Sequence, residues 1–257
     1  MIGVFDSGVG GLTVVKEIKE CLPQVGVVYL GDTARLPYGT KSRETVIKYS
    51  LKNIAFLTRF QVQMVVIACN TASSYALPAL KKQLSIPTLG VIKPGVDMAL
   101  KSTKNKRIGV IGTEATIRSR SYEREIKKRG DYEVFSQSCP LFVPLVEEGI
   151  IDGNIAHSVA QFYLEGLKKK NIDTLILGCT HYPLLQDVIA ETLGEKVHLI
   201  SSAKAVAQAV KKEVEKRRIN GKGTLMFFTT DAPERFARMG RLFLGKTFNG
   251  VKLVEVE

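Results

Sequence analysis

Short apolar runs alternate along this chain with stretches of helical period. The runs Ile2–Phe5, Val25–Leu30, Met64–Ala68, Thr88–Ile92, Arg107–Ile111, Tyr132–Ser136, Thr174–Leu177 and Lys196–Ile200 have strand length. Between them, Ile47, Leu51, Ile54 and Leu57 fall on one face of a helix, and so do Ile155, Val159, Phe162 and Leu167. That spacing of three or four residues is the signature of an amphipathic helix. Strands alternating with helices of this length predict βαβ units, parallel sheets and an α/β fold. After Ile200 the pattern continues with a helix over 203–218, an apolar run 225–228, a helix near 232–244 and a strand near 251–256. Periodicity does not say which part of the fold this tail joins.

A weak internal repeat divides the pattern. Met1-Ile-Gly-Val-Phe-Asp-Ser7 parallels Arg107-Ile-Gly-Val-Ile-Gly-Thr113, and each segment leads into a helix. Cys69 lies 67 residues after Ile2, and Cys179 lies 71 after Ile108. Two related half-chains are the economical account. Lys93-Pro94-Gly95 is the best boundary between them, because proline and glycine punctuate secondary structure.

The repeat gives the two cysteines equivalent positions. Cys69 follows Met64–Ala68 and precedes Asn70-Thr71-Ala72-Ser73; Cys179 follows Thr174–Gly178 and precedes Thr180-His181-Tyr182-Pro183. Each thiol therefore ends a buried strand and begins a helix. In an open parallel sheet that carboxyl edge is where ligands bind, and a helix N-terminus there favours a thiolate. A solitary strand-end cysteine is more often a packing residue, being among the most buried types. The second copy reverses that judgement. His181, two residues beyond Cys179, can share its proton. Cys21, Cys139, His157 and His198 lack such neighbours and are read as structural. With no C-x-x-C pair or histidine cluster, no metal site is expected.

Three further segments belong to the same edge. Asp6-Ser7-Gly8-Val9-Gly10-Gly11-Leu12-Thr13 is a glycine-rich strand-to-helix turn. It departs from the dinucleotide fingerprint at Thr13 and lacks a Walker Lys-Ser/Thr, so a small anion fits better than a nucleotide. Asp6 could accept a proton, bind a substrate ammonium, or merely cap the helix. The loop Gly31–Gly39 follows the second strand. Glu147 sits in the apolar stretch Phe142–Gly149, which could raise its pKa, while Glu148 beside it is read as solvated.

Composition narrows the class. The chain has 257 residues, 45% of them apolar and 24% charged, with four cysteines and a net charge of +12. It is long enough for one large or two ordinary domains with real cores. No apolar stretch approaches the ~20 residues of a membrane span. Met1 leads directly into a strand, leaving no room for a signal peptide. Reduced thiols in the cytoplasm are the simplest expectation. The positive charge invites a nucleic-acid reading, but it is spread over helix surfaces, so no nucleic-acid partner is expected; the same field would draw in a small anion.

Five segments in order, Phe5–Val14, Gly31–Gly39, Ala68–Ser73, Cys139–Glu147 and Gly178–Pro183, make the chain resemble the cofactor-independent aspartate/glutamate racemase family. The resemblance implies two flavodoxin-like, three-layer domains of mostly parallel sheet, related by a pseudo-twofold axis, with the active site in their cleft. It assigns residues 1–94 plus 207–257 to the first domain and 95–206 to the second. By the same resemblance Cys69 and Cys179 form the acid/base pair, assisted by Asp6, Glu147 and His181. Asp6, Ser7, Tyr38, Gly39, Asn70, Thr71, Thr180 and His181 would surround the substrate. No cofactor is expected, and a homodimer is. The segments around Asp6–Val14 and Thr180–Tyr182 favour glutamate, supplying its D form for peptidoglycan, over aspartate or a hydantoin. Lys93 departs from the family, standing where an acidic residue is expected. A pyridoxal enzyme is the rival catalyst, but nothing in the chain singles out a Schiff-base lysine.

Overall fold

A computed structural model describes residues 1–248 and 250–256. Among the described residues ten strands, all paired in parallel, form two sheets. They are β1 (Ile2–Asp6), β2 (Val27–Gly31), β3 (Met64–Ile67), β4 (Thr88–Gly90), β5 (Arg107–Gly112), β6 (Glu133–Ser138), β7 (Thr174–Gly178), β8 (His198–Ser201), β9 (Leu225–Thr229) and β10 (Val251–Leu253). The first sheet runs β10-β9-β2-β1-β3-β4 and the second β6-β5-β7-β8. Every residue of β1, β2, β3 and β7 is buried. That follows from helices covering both faces of a parallel sheet, which makes its central strands continuously apolar.

The pairing of β9 with β2, Val27 opposite Leu225 through Gly31 opposite Thr229, puts the tail in the first sheet. Crossovers between parallel strands need a helix, so the chain changes sheets on two helices, Ile92–Ser102 and Ser202–Arg217. These pack on one another, and Ser202–Arg217 also packs along Leu12–Cys21. The boundaries expected at 94/95 and 206/207 both fall inside these continuous helices. Lys93-Pro94-Gly95 is thus the first turn of a helix and not a break between elements. A proline is accepted there because the first N–H groups of a helix have no partner within it. Lys93 is exposed on that turn.

A second expectation fails on the helix Gly153–Lys168. Its buried face is Ala156, Ala160, Tyr163, Leu164 and Leu167, whereas Ile155 and Phe162 are 60% and 76% exposed. Ala156 and Ala160 let this helix pack closely along the stripe they share with Tyr163, Leu164 and Leu167, which turns Ile155 and Phe162 outward. Core sides of the other helices follow their apolar stripes. In Arg43–Thr58, Ile54 and Leu57 are buried, with Ile47 and Leu51 partly so.

Hydroxyl and thiol caps set the helix starts along the carboxyl edges. Ser42, Cys69, Thr113 and Ser201 each accept a hydrogen bond from the backbone N–H three residues on. An oxygen cap of this kind contributes about 1 kcal/mol. Among the described residues no helix is long and apolar enough to cross a membrane.

Candidate active site

The carboxyl ends of both sheets converge on one cavity of about 300 Å³. Each lining segment follows a strand: Ser7–Gly8 after β1, Leu36–Thr40 after β2, and Cys69–Thr71 after β3. The second sheet contributes Thr113–Glu114 after β5, residues of Pro140–Glu147 after β6, and Cys179–His181 after β7. Cys69 and Cys179, 110 positions apart in the chain, thus reach the same space from different sheets.

Ten of the eleven residues singled out in the sequence line this cavity; Asp6 does not. Its carboxylate is fully buried behind the wall, where Oδ2 accepts the Gly8 N–H at 3.1 Å and Oδ1 accepts the Thr180 hydroxyl at 3.5 Å. It gives no side-chain cap to the helix Leu12–Cys21. Burial pushes its pKa up, against the pull of nearby His181 and of the backbone N–H groups.

The surroundings of the two thiols differ. Cys69 caps its own helix, with Sγ accepting the Ala72 N–H at 3.5 Å and standing 3.7 Å from Ser7 Oγ. Burial, and after it the Asp6 charge, push this thiol up to about 12. Cys179 Sγ is 3.9 Å from His181 Nδ1, and His181 Nε2 is 3.1 Å from Glu147 Oε1. Burial would lower the imidazole pKa, but the bonds to Cys179 and Glu147 outweigh it and raise His181 to about 10. Glu147 was expected to titrate high in its apolar stretch. Burial does act in that direction, yet the His181 hydrogen bond prevails and holds the carboxylate below its usual range. Arg235 approaches the other Glu147 oxygen at 4.0 Å, from the helix Pro233–Leu244. Phe243 of that helix sets its ring edge-on to His181 at 5.2 Å. Glu148 is exposed, as expected.

Hydroxyls and glycines bring the two sheets together at the site. Thr71 Oγ1 bonds Thr113 at 2.9 Å and Thr116 at 3.1 Å, and the Tyr122 hydroxyl donates to Asn70 Oδ1 at 2.7 Å. Thr13, the residue that broke the dinucleotide fingerprint, donates to the Gly10 and Thr180 carbonyls at 2.8 and 3.2 Å. A Cβ on Gly10 would come within 2.6 Å of the His181 ring. Glycine is therefore needed there for close approach.

Sequence reasoning missed Thr113 and Glu114. The repeat carried the signal for the first, since it aligns Thr113 with Ser7. Tyr122, which holds Asn70 from behind, and Ser202, which bonds the Tyr122 hydroxyl, gave none. His157 lies elsewhere, 3.4 Å from both Asp152 and Glu191 at the surface. Cys21 donates to the Glu17 carbonyl at 3.0 Å. Cys139 is buried, and its carbonyl accepts the Tyr182 hydroxyl at 2.8 Å.

No lysine or arginine is among the described residues lining the cavity. The lysines and arginines of the chain stay out of that lining, and His181 is the one imidazolium among the described residues there. Anionic groups there would be held by neutral donors: the hydroxyls of Ser7, Thr71, Thr113 and Thr180, the Asn70 amide, and backbone N–H groups at the helix starts.

The model of the Asp/Glu/Hydantoin racemase family matches residues 2–210. The chain is 52% identical over 252 residues to glutamate racemase of Persephonella marina, covering 98% of this chain and 96% of that one. Glutamate racemase isoform RacE1 of Bacillus anthracis superposes with a TM-score of 0.96 at 41% identity, covering 100% of this chain and 97% of that one. The Francisella tularensis glutamate racemase, crystallised with D-glutamate, gives 0.94 at 38% identity over 100% and 97% of the two chains.

Proposed function

Because the chain belongs to the Asp/Glu/Hydantoin racemase family, we infer that it interconverts L- and D-glutamate through its two cavity thiols. The observation that carries the mechanism is a pair of cysteines from two sheets lining one cavity. Inversion at carbon needs one group to take the Cα proton from one face and another to deliver a proton to the opposite face.

The surroundings of the sulfurs suggest their order. His181 stands 3.9 Å from Cys179 Sγ and is itself held by Glu147, so it can share a proton with that sulfur. Cys69 remains a protonated thiol under burial and the Asp6 charge. In the order we propose, which the family resemblance implies and this geometry accommodates, L-glutamate loses its Cα proton to Cys179 acting as a thiolate. The electron pair left on Cα spreads into the α-carboxylate and then takes the proton of Cys69 from the other side. Cys179 ends as a thiol and Cys69 as a thiolate, which is the form that accepts D-glutamate. Developing charge on the α-carboxylate is met by fixed hydroxyl and N–H donors, which need no reorganisation as the charge grows.

Tyr38 and Gly39, Asn70 and Thr71, and Thr180 and His181 hold the substrate, with Ser7 beside Cys69. Asp6 acts on Cys69 from behind the wall. Residues 1–94 with 207–257 make up one α/β unit and 95–206 the other, joined through the packed helices Ile92–Ser102 and Ser202–Arg217. The enzyme works as a homodimer in the cytoplasm and supplies D-glutamate for peptidoglycan.

The test is to incubate purified enzyme with each glutamate enantiomer in deuterium oxide, with aspartate as control. Inversion with one solvent deuteron at Cα is expected for glutamate alone. Faster turnover of aspartate would refute the substrate, and inversion with retention of the original hydrogen would refute the two-thiol route.

A further inference from the structure

The loop after β2 contains a buried carboxylate that the proposed mechanism does not use. Asp32 is completely inaccessible, yet its two oxygens gather partners from three parts of the chain. Oδ2 accepts the Tyr38 hydroxyl at 2.5 Å and the Asn53 amide at 3.3 Å, and Arg35 Nη1 stands 3.6 Å away. Oδ1 accepts the Thr230 hydroxyl at 3.1 Å, from the turn that follows β9. The Asp32 N–H donates to the Asp6 carbonyl at 3.0 Å, fixing the loop to the end of β1.

Tyr38 is the member of this group that reaches the cavity. Its hydroxyl is already committed: it donates to Asp32 and accepts from Asn53 Nδ2 at 3.0 Å. Burial and the Asp32 charge also hold the phenol far above its ordinary pKa. The hydroxyl is thus an anchor, and only the ring and backbone of Tyr38 are left to face a substrate. Gly39, next in the chain, packs so tightly on Thr113 that an added Cβ would sit 2.7 Å from the Thr113 Cβ. Displacing Tyr38 would therefore shift the wall where the two sheets meet.

We propose that Asp32 is a positioning residue for substrate binding, locking Tyr38 and Gly39 into the cavity wall through the Tyr38 hydroxyl and tying that wall to the C-terminal strands through Thr230. A buried carboxylate that accepts from three side chains is a stiff anchor, because removing it strips the Tyr38 hydroxyl of its acceptor in a dry site. The effect falls on recognition of the substrate and leaves the thiols in place.

This inference rests on the racemase reading, and kinetics of the unmodified enzyme on both enantiomers test that reading separately. Asp32→Ala, Asp32→Asn, Tyr38→Phe and the double variant Asp32→Ala/Tyr38→Phe are compared for kcat, KM and Tm. Tyr38→Phe keeps the cavity-facing ring and deletes only the anchor. It is expected to raise KM about tenfold with kcat changed less than about threefold. Asp32→Ala should do the same, the double variant should be no worse than either single one, and Asp32→Asn should restore part of the loss through its remaining acceptor. If Asp32→Ala does not fold, Tyr38→Phe alone decides. An unchanged KM in Tyr38→Phe, additive effects in the double variant, or a fall in kcat alone would overturn the proposal.

Discussion

The Cys69 end and the Cys179 end of the cavity occupy matching places in the repeat, and they are chemically unlike. Behind Cys69 stands Asp6; the residue that the repeat aligns with Asp6 in the other half is Gly112. Beside Cys179 stands His181, whereas the position two residues after Cys69 is Thr71, whose hydroxyl bonds Thr113 and Thr116. One thiol has an anion and a capped N–H for neighbours; the other has an imidazole held by a carboxylate. A racemase must handle mirror-image substrates, but its own groups need not be mirror images. On the mechanism proposed above, this difference is what lets one sulfur start as the acid and the other as the base.

Removing either sulfur should break the comparison most severely. Cys69→Ala and Cys179→Ala are each expected to lower racemisation at least about 10³-fold, in line with loss of a general acid or base. The two losses should leave different residues of activity. In deuterium oxide, Cys69→Ala should still wash deuterium into L-glutamate without inversion, and Cys179→Ala should do so only with D-glutamate. Proton NMR of the recovered enantiomer checks this, and exchange of the same enantiomer by both variants would remove the assigned order.

His181→Asn comes next, with an expected fall in kcat of about 10²-fold. The slowed step should be the proton transfer at Cys179, since His181 adjoins only that sulfur. Primary isotope effects with α-deuterated L- and D-glutamate measure it: the effect should rise more for the L enantiomer, and equal changes in both would argue against the asymmetry.

Stability against pH offers a smaller, independent reading. A folded-state pKa raised above the unfolded one contributes stability below the unfolded value, and this is lost as pH climbs through the folded one. For His181 the window runs from 6.5 to about 10, and for Cys69 it lies higher, from 9.0 to about 12. Tm should therefore fall between pH 7 and 10 by several degrees, ~1 kcal/mol being roughly 2–4 °C for a chain of this size. In His181→Asn that slope should flatten. The least effect is expected from Arg235→Gln. Its guanidinium is half exposed and 4.0 Å from Glu147, so solvent screens it and the change in L-glutamate kcat/KM should be about twofold.

Much of the site was legible because its residues lie within short segments directly after buried strands. Apolar runs marked where β1, β3 and β7 end, and the carboxyl edge of a parallel sheet is where ligands gather. Within four positions of those ends, Cys69–Thr71, Cys179 and His181 could be named from the pattern, while Ser7 and Thr180 came through the family resemblance. The outward turn of Ile155 and Phe162 could not, because helical period gives the spacing of a stripe but not which of two adjoining stripes packs closer. Nor could the direction of the Glu147 shift. Its apolar neighbours in sequence suggested a raised pKa, and the decisive contact comes from His181, 34 positions away.

The amino-acid sequence by itself determined the α/β rhythm, the paired strand-end cysteines and the glycines that let backbones meet, since these depend on neighbours within a few residues. The tertiary structure alone decided that Asp6 stands behind the cavity wall and that Asp32 anchors Tyr38, and it gave the register in which the last strands complete the first sheet. Those features rest on contacts between residues far apart in the chain. Such contacts are fixed by how whole sheets and helices pack, and no local pattern encodes them.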